Sequence, residues 1–364
     1  MRETRHHSLL RPIAVTGLLF VAIAAQGCSD EPAGNTTTSS SSSSSSSGTG
    51  GTGGAGGMGG TGGMGGTGGS GGAGEFTVAT ASNNAAARRP FDATPDPAGA
   101  DVYFTALDVN GDPAIFKAKG DNSAAPTQLF TGAPLVAPLG IATSTDGGKL
   151  FIADVGAEDP TADRGRIFTI ANDGGAVSEI AAADAYRPRG IEVRDEGGKD
   201  VIYFSGNDPQ GVPGVFKLAA DGSGSVSTVA KGAPFQDPSG VAMAVEGAVY
   251  VCDTVQGDGL GSIIEIAANG TATTILSGIP VGYPCGVALM DGDKTLLVSG
   301  LDASSRTDVV ISVDLGTNTP TLLSQGISTF TESAGLHRAK KGGNTFAFVD
   351  STANGGTVFR VTFP

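Results

Sequence analysis

The chain has 364 residues, 59 of them Gly and none Trp, and carries a formal charge of −14 at pH 7. Such acidity excludes nucleic acid as a partner, because a phosphate backbone is bound through clustered Lys and Arg, and it disfavours docking on anionic lipid headgroups. With only three Cys in the chain, a disulfide-dense scaffold is excluded too.

The chain opens on a basic leader, "MRETRHHSLLR", followed by "PIAVTGLLFVAIAA" (12–25), an apolar stretch too short to span a bilayer comfortably. Together they read as the n- and h-regions of a secretory signal. The signal ends in "AAQGCSD", where Gly27-Cys28 resembles the cleavage box of bacterial lipoproteins, with Ala25-Gln26 where that family prefers Leu and a small residue. The resemblance implies removal of residues 1–27 and lipidation of Cys28, which becomes the new N-terminus. Several acyl chains on one residue would anchor the protein durably, where a single chain binds only marginally. The other reading is an ordinary secretion signal that happens to contain a cysteine. The lipid reading puts the protein on a bacterial cell envelope with the membrane as a partner, and Ser29 after Cys28 points by family analogy to the outer membrane.

Residues 28–74 follow as a tether. A nine-serine run, Ser39 to Ser47, gives way to "GTGGTGGAGGMGGTGGMGGTGGSGGAG". Nothing in it buries enough apolar surface to offset the entropy of ordering, so a flexible coil is expected, with a mean reach of roughly 35–40 Å.

From 75 to 364 one unit recurs. Its anchors are Pro138-Leu139-Gly140, Pro188-Arg189-Gly190, Pro238-Ser239-Gly240 and Pro284-Cys285-Gly286, with degenerate copies at Pro90-Phe91-Asp92 and Ser333-Ala334-Gly335. The units therefore start near 90, 138, 188, 238, 284 and 333. Each reads as four short strands. An aliphatic strand leaves the anchor, a Gly-containing turn follows, and a strongly apolar strand such as "LFIAD" or "VYVCD" comes next. Two further alternating strands complete the unit. Four antiparallel strands per unit, without helical periodicity, predict an all-β six-bladed β-propeller. The sixth unit lacks its fourth strand, and "EFTVATA" (75–81) supplies a match at the other end of the domain, so the N-terminal strand is expected to close the last blade.

"GIATSTDGGKLFIAD … GRIFTIANDGG" resembles an NHL-type repeat, best in the second and fourth units and more weakly but continuously over 90–364. The resemblance implies a propeller superfamily that also holds gluconolactonase-like and strictosidine-synthase-like members, whose enzymes work at the mouth where the P-x-G loops converge. Gluconolactonase-like members hold a divalent cation there, with Asn or Asp among the P-x-G middle residues. Here those positions are Phe91, Leu139, Arg189, Ser239, Cys285 and Ala334. None is a carboxylate or amide, and hard cations require oxygen ligands.

Other candidates remain at the same face. Asp154, Asp253 and Asp350 end the second strands of units two, four and six, while Asp108, Asp208 and Asp302 stand two residues beyond the strand ends in the others. They either fix their loops as Asx turns do, or form one or two cation sites, with Ca2+ the possible ion. Lys119 stands where an EF-hand loop beginning at Asp108 would need Glu, and "DVGAEDPTAD" (154–163) could hold calcium loosely. Tyr186, Arg187, Arg189 and Tyr283 could receive a carboxylate or phosphate, or pair with the neighbouring Asp residues. His6 and His7 lie in the leader, which leaves His337 as the one imidazole beyond it. It reads either as packed between blades or as a base or ligand contact. Cys252 and Cys285 fall on one face of adjacent blades, where an oxidising envelope allows a disulfide. The expected function is a monomeric, lipid-anchored module that binds an unidentified protein or small molecule without catalysis. The alternative is a divalent-cation-dependent lactonase- or esterase-like hydrolase.

Overall fold

The computed structural model describes residues 76–156, 164–255, 260–290, 292–323, 333–352 and 355–364. The leader, Cys28 and the Ser/Gly tether lie outside them, as does most of the acidic loop at 154–163. The described residues form six antiparallel sheets of four strands each. The innermost strands begin the blades at Arg88–Pro95, Pro138–Thr143, Arg187–Asp195, Pro238–Met243, Val287–Leu289 and Ser333–Arg338. These pack side by side in chain order, and the sixth lies against the first, so the blades form the closed ring of a six-bladed β-propeller.

Closure is made as the sequence predicts. Thr77–Ser82 pairs antiparallel with Thr357–Thr362 and becomes the outer strand of blade six. One blade thus holds both ends of the domain, and the Phe76 and Phe363 rings meet at 5.1 Å.

The second strands are apolar on both sides because each blade is covered on both faces. Leu150, Phe151, Ile152 and Ala153 are all buried. Phe151 and Ala153 face Ile191, Val193 and Phe204 of blade three, while Leu150 and Ile152 face Tyr103 and Ile115 of blade one. Similar layers fill the other four junctions, so hydrophobic burial is spread around the ring with no single central core. Outer strands are exposed, and one departs from expectation. "AVSEI" pairs only over Ser178–Glu179 and then enters a 3-10 turn at Ala181–Ala183. Ile180 and Ala183 turn inward into the junction of blades two and three, so side-chain burial ends the edge strand early.

Candidate functional site

The P-x-G phrase proves to be an assembly device. A Cβ built on Gly140 would stand 2.3 Å from the carbonyl oxygen of Arg189, on Gly190 1.9 Å from that of Ser239, and on Gly240 2.6 Å from that of Cys285. Each glycine therefore lets one blade's first strand approach the backbone of the next, which no side chain would permit. The ladder also slips at this point in blades two, three and four, between Pro138 and Gly140, Pro188 and Ile191, and Pro238 and Val241, a β-bulge that turns the strand inward.

The carboxylates on this face are engaged by their own loops. Asp154 accepts the N–H groups of Val136, Ala137 and Gly156 at 2.8, 3.0 and 2.9 Å. Asp253 accepts those of Gln236 and Asp237, both at 2.8 Å, and Asp350 accepts Thr352 N–H and Oγ1. In the alternate blades, Asp108 holds the Asn110–Asp112 turn and Thr131, and Asp208 holds Gln210, Val212 and Lys231. Burial pushes the Asp253 carboxyl up to about 6, against the pull of the Gln236 N–H and the Arg189 charge. Asp154, Asp253 and Asp350 sit in separate blades. Among the described residues no group of three or more His, Cys, Asp or Glu is placed to share an ion. Among the described residues, the donors at this mouth therefore do not fit the cation that the lactonase resemblance implies.

Arg189 and Tyr283 do come together. The Arg189 guanidinium carbon lies 5.8 Å from the centre of the Tyr283 ring, and the same guanidinium is ion-paired with Asp237. Tyr283 is 40% exposed, while Tyr186 packs edge-on against Phe204 and Phe216. Cys252 and Cys285 are joined, with S–S 2.00 Å and Cα–Cα 6.0 Å, so the middle residue of the fifth P-x-G is tied to blade four. The bond spans 33 residues, for which loop-closure entropy gives a stabilisation of about 3–4 kcal/mol. A Cys252→Ala/Cys285→Ala variant should melt several degrees below the wild type in scanning calorimetry. A melt within a degree of wild type would mean that the crosslink contributes nothing.

The axis of the ring is occupied by charge. His337, buried in the first strand of blade six, lies with Nε2 2.9 Å from Asp92 Oδ2 of blade one and Nδ1 3.1 Å from Glu192 Oε2 of blade three. Asp92 also accepts the N–H of Ile141 from blade two at 2.9 Å. Lys340 Nζ donates to Glu192 Oε1 at 2.5 Å and to the Val193 carbonyl at 2.8 Å. Four blades are thereby joined through one network. Burial alone would lower the imidazole's pKa, but the Asp92 charge and hydrogen bond, then those of Glu192, outweigh it and hold it at about 10. Burial likewise opposes ionisation of Glu192, yet Lys340 and His337 hold its carboxyl down to about 2. At neutral pH His337 is an imidazolium donating both N–H groups, so it is not a general base. Beside it the space enclosed by Leu139, Cys285, Leu336 and His337 is only about 10 Å³, room for one water at most.

The opposite mouth is open. Where the first strands run into their turns, a cavity of about 370 Å³ is lined by Val193, Met243, Val287 and Leu289 together with Arg194, Arg338 and Lys340. Shared lining by Arg194, Asp195 and Val245 continues it into a groove between blades three and four.

Sequence patterns single out His337 but not Asp92, Glu192 or Lys340. A signal for two of them exists in the repeat. The position two after the P-x-G glycine is Ala142, Ala242 and Ala288 in blades two, four and five, but Glu192 and His337 in blades three and six. Those blades face each other across a six-membered ring. Asp92 occupies the glycine position itself in the degenerate first unit.

No protein-family model matches the sequence, and no curated protein matches it significantly. Solved structures do. A gluconolactonase from Xanthomonas campestris superposes with a TM-score of 0.56 over 80% of this chain and 91% of its own, at 17% identity. A structural-genomics protein of unknown function from Bacteroides thetaiotaomicron gives 0.57 over 80% and 76%, at 11% identity. A chain of the nidogen/laminin complex gives 0.52 over 69% and 85%, at 20% identity. At such identities the likeness is one of architecture, and what it establishes is that this chain carries the six-bladed β-propeller fold.

Proposed function

We propose that the protein is a bacterial envelope lipoprotein, anchored through Cys28, whose propeller acts as a non-catalytic binding module. The observation that carries this reading is the occupied P-x-G mouth. Its positions are Phe, Leu, an ion-paired Arg, a buried Ser, a disulfide Cys and Ala. Its axis is filled by a His337 held protonated between two carboxylates, and its Asp residues accept backbone N–H groups. The one carboxyl raised toward neutral pKa, Asp253, is buried and taken up by the N–H groups of Gln236 and Asp237, and among the described residues no oxygen ligands converge. The anchor and tether rest on the leader, the Gly27-Cys28 step and the Ser/Gly run, which together stand a folded domain off a membrane.

Two measurements on the full chain test the two halves. Labelled palmitate should enter the wild type and not Cys28→Ser; label in the variant would remove the anchor. A panel of lactones and aryl esters should pass unhydrolysed, and the melt in calcium should match that in EDTA. Turnover with stoichiometric bound metal would replace the binding reading with the hydrolase one and direct attention to Asp154, Asp253 and Asp350.

A further inference from the structure

We propose that the strand closing the ring is a latch in two parts. Its outer part, residues 76–80, releases from blade six while Ala81 and Ser82 stay seated and the blades stay folded. Exposure along the strand falls in one direction. Thr77 and Val78 are exposed, Ala79 and Thr80 half-buried, Ala81 and Ser82 buried. The ladder to Thr357–Thr362 divides at the same place. Thr77 opposes Thr362 and the pairing runs unbroken to Thr80 and Phe359, after which the register shifts before Ser82 meets Val358. Such a shift interrupts the row of pairs. Beyond it Ala81 enters the junction of blades six and one, with Ala93, Val349 and Val358. Ala81 leaves only if that junction opens, whereas the outer part gives up exposed backbone bonds and little buried surface.

The main side-chain contact of the outer part is aromatic. The Phe76 ring lies 5.1 Å from that of Phe363, which meets Phe346 edge-on at 5.5 Å. Phe76 is only partly buried against this cluster. Phe363 is seated without it, being buried with its N–H donated to the Asn344 carbonyl at 2.9 Å. The receiving side of the clip is therefore built before the strand docks, and it survives the strand's departure. Val78, 37% exposed, adds little hold.

Release bares the outward edge of Thr357–Thr362, a row of N–H and C=O groups to which an extended segment adds. The latch stands on the packing of the strand alone. On the anchored reading it also gains a trigger, because the residues that lead to Phe76 are those that run to Cys28. A pull between membrane and domain then reaches this strand first, beginning at the Thr77–Thr362 pair.

The test is amide hydrogen exchange of the full chain, read by NMR over a series of low denaturant concentrations. In the wild type, paired amides within residues 77–80 should exchange faster than those of Ala81, Ser82 and Thr345–Asp350, and with little dependence on denaturant, the mark of a local opening. Phe76→Ala should speed exchange at 77–80 about tenfold, as expected for a lost aromatic pair, and leave Thr345–Asp350 unchanged. Val78→Thr, a change at an exposed position of the same strand, should leave both unchanged. Slow, denaturant-dependent exchange shared by 77–80 and Thr345–Asp350 would overturn the proposal, as would Ala81 and Ser82 opening together with 77–80. So would Phe76→Ala speeding all three groups alike, or none of them. The anchor and binding-module readings fail by other readouts, palmitate in Cys28→Ser and hydrolysis of lactones or esters, so the failures are distinguishable.

Discussion

Replacing His337 by leucine should destabilise the folded domain by about 3–5 kcal/mol, the cost of leaving buried carboxylates without their cation. Asp92 and Glu192 would lose the imidazolium, leaving Asp92 the backbone N–H groups of Ala93 and Ile141, and Glu192 the Val193 N–H and its bond to Lys340. Against a total stability of about 5–15 kcal/mol the loss is large. It carries a pH signature that simple loss of packing would not. The imidazole's pKa is raised from 6.5 to about 10 in the folded protein, so its contribution is complete below pH 6.5 and declines as pH rises toward 10. Glu192 is shifted the other way, from 4.5 to about 2, so its contribution is complete above pH 4.5 and is lost as pH falls toward 2. The network is therefore at full strength between about pH 4.5 and 6.5. Denaturant unfolding at pH 5.5, 7.5 and 9.5 should show wild-type stability falling along that series. His337→Leu should start lower and stay nearly flat, with the gap between the proteins narrowing at pH 9.5. An equally steep alkaline decline in the variant would place its cause elsewhere than at His337.

Fold and site were legible to different degrees, for physical reasons. The strands could be read because each obeys a local rule. "LFIAD" is apolar on both faces because two neighbouring blades cover it, and "EFTVATA" was assignable because the last unit lacked an edge strand. The 3-10 turn after Glu179 was not legible, since it depends on where Ile180 finds burial in the adjacent blade. The axial network was harder still. Asp92, Glu192 and His337 are separated by 100 and 145 residues, and nothing within any one unit says that they meet. Comparing units at equivalent positions would have exposed the two that break the Ala pattern, Glu192 and His337. Lys340 could not be found this way, because it lies beyond the first strand where the turns differ in length. The open mouth leaves no mark in the sequence for a related reason. Its cavity is made by first-strand ends that carry no motif, whereas the P-x-G phrase draws attention to a face that is packed shut.

That packing sets the second large effect, Gly190→Ala. In an exposed helix the two residues differ by about 1 kcal/mol in favour of Ala. Here a Cβ would stand 1.9 Å from the Ser239 carbonyl oxygen and 3.0 Å from Ser205 Oγ. Ser205 cannot withdraw cheaply, because its hydroxyl accepts the Gly190 N–H at 3.0 Å and donates to that same carbonyl. The obstacle is backbone of the next blade, which is itself packed against the blade after it. Gly240 meets the Cys285 carbonyl and Gly286 meets the backbone of Gly335, so one added methyl must either open a junction or shift several blades. A loss of about 3 kcal/mol or more is expected, at the upper end of overpacking costs. Gly111→Ala is the control. Gly111 has a φ of +90° but nothing within 4 Å of its Cβ position, so only backbone strain of about 1 kcal/mol should result. Urea unfolding of the two variants separates the explanations. Equal losses would mean that the repeated glycine serves backbone conformation alone. A loss confined mainly to Gly190→Ala would mean that the phrase recurs because six blades cannot close into a ring unless their first strands touch, backbone to backbone.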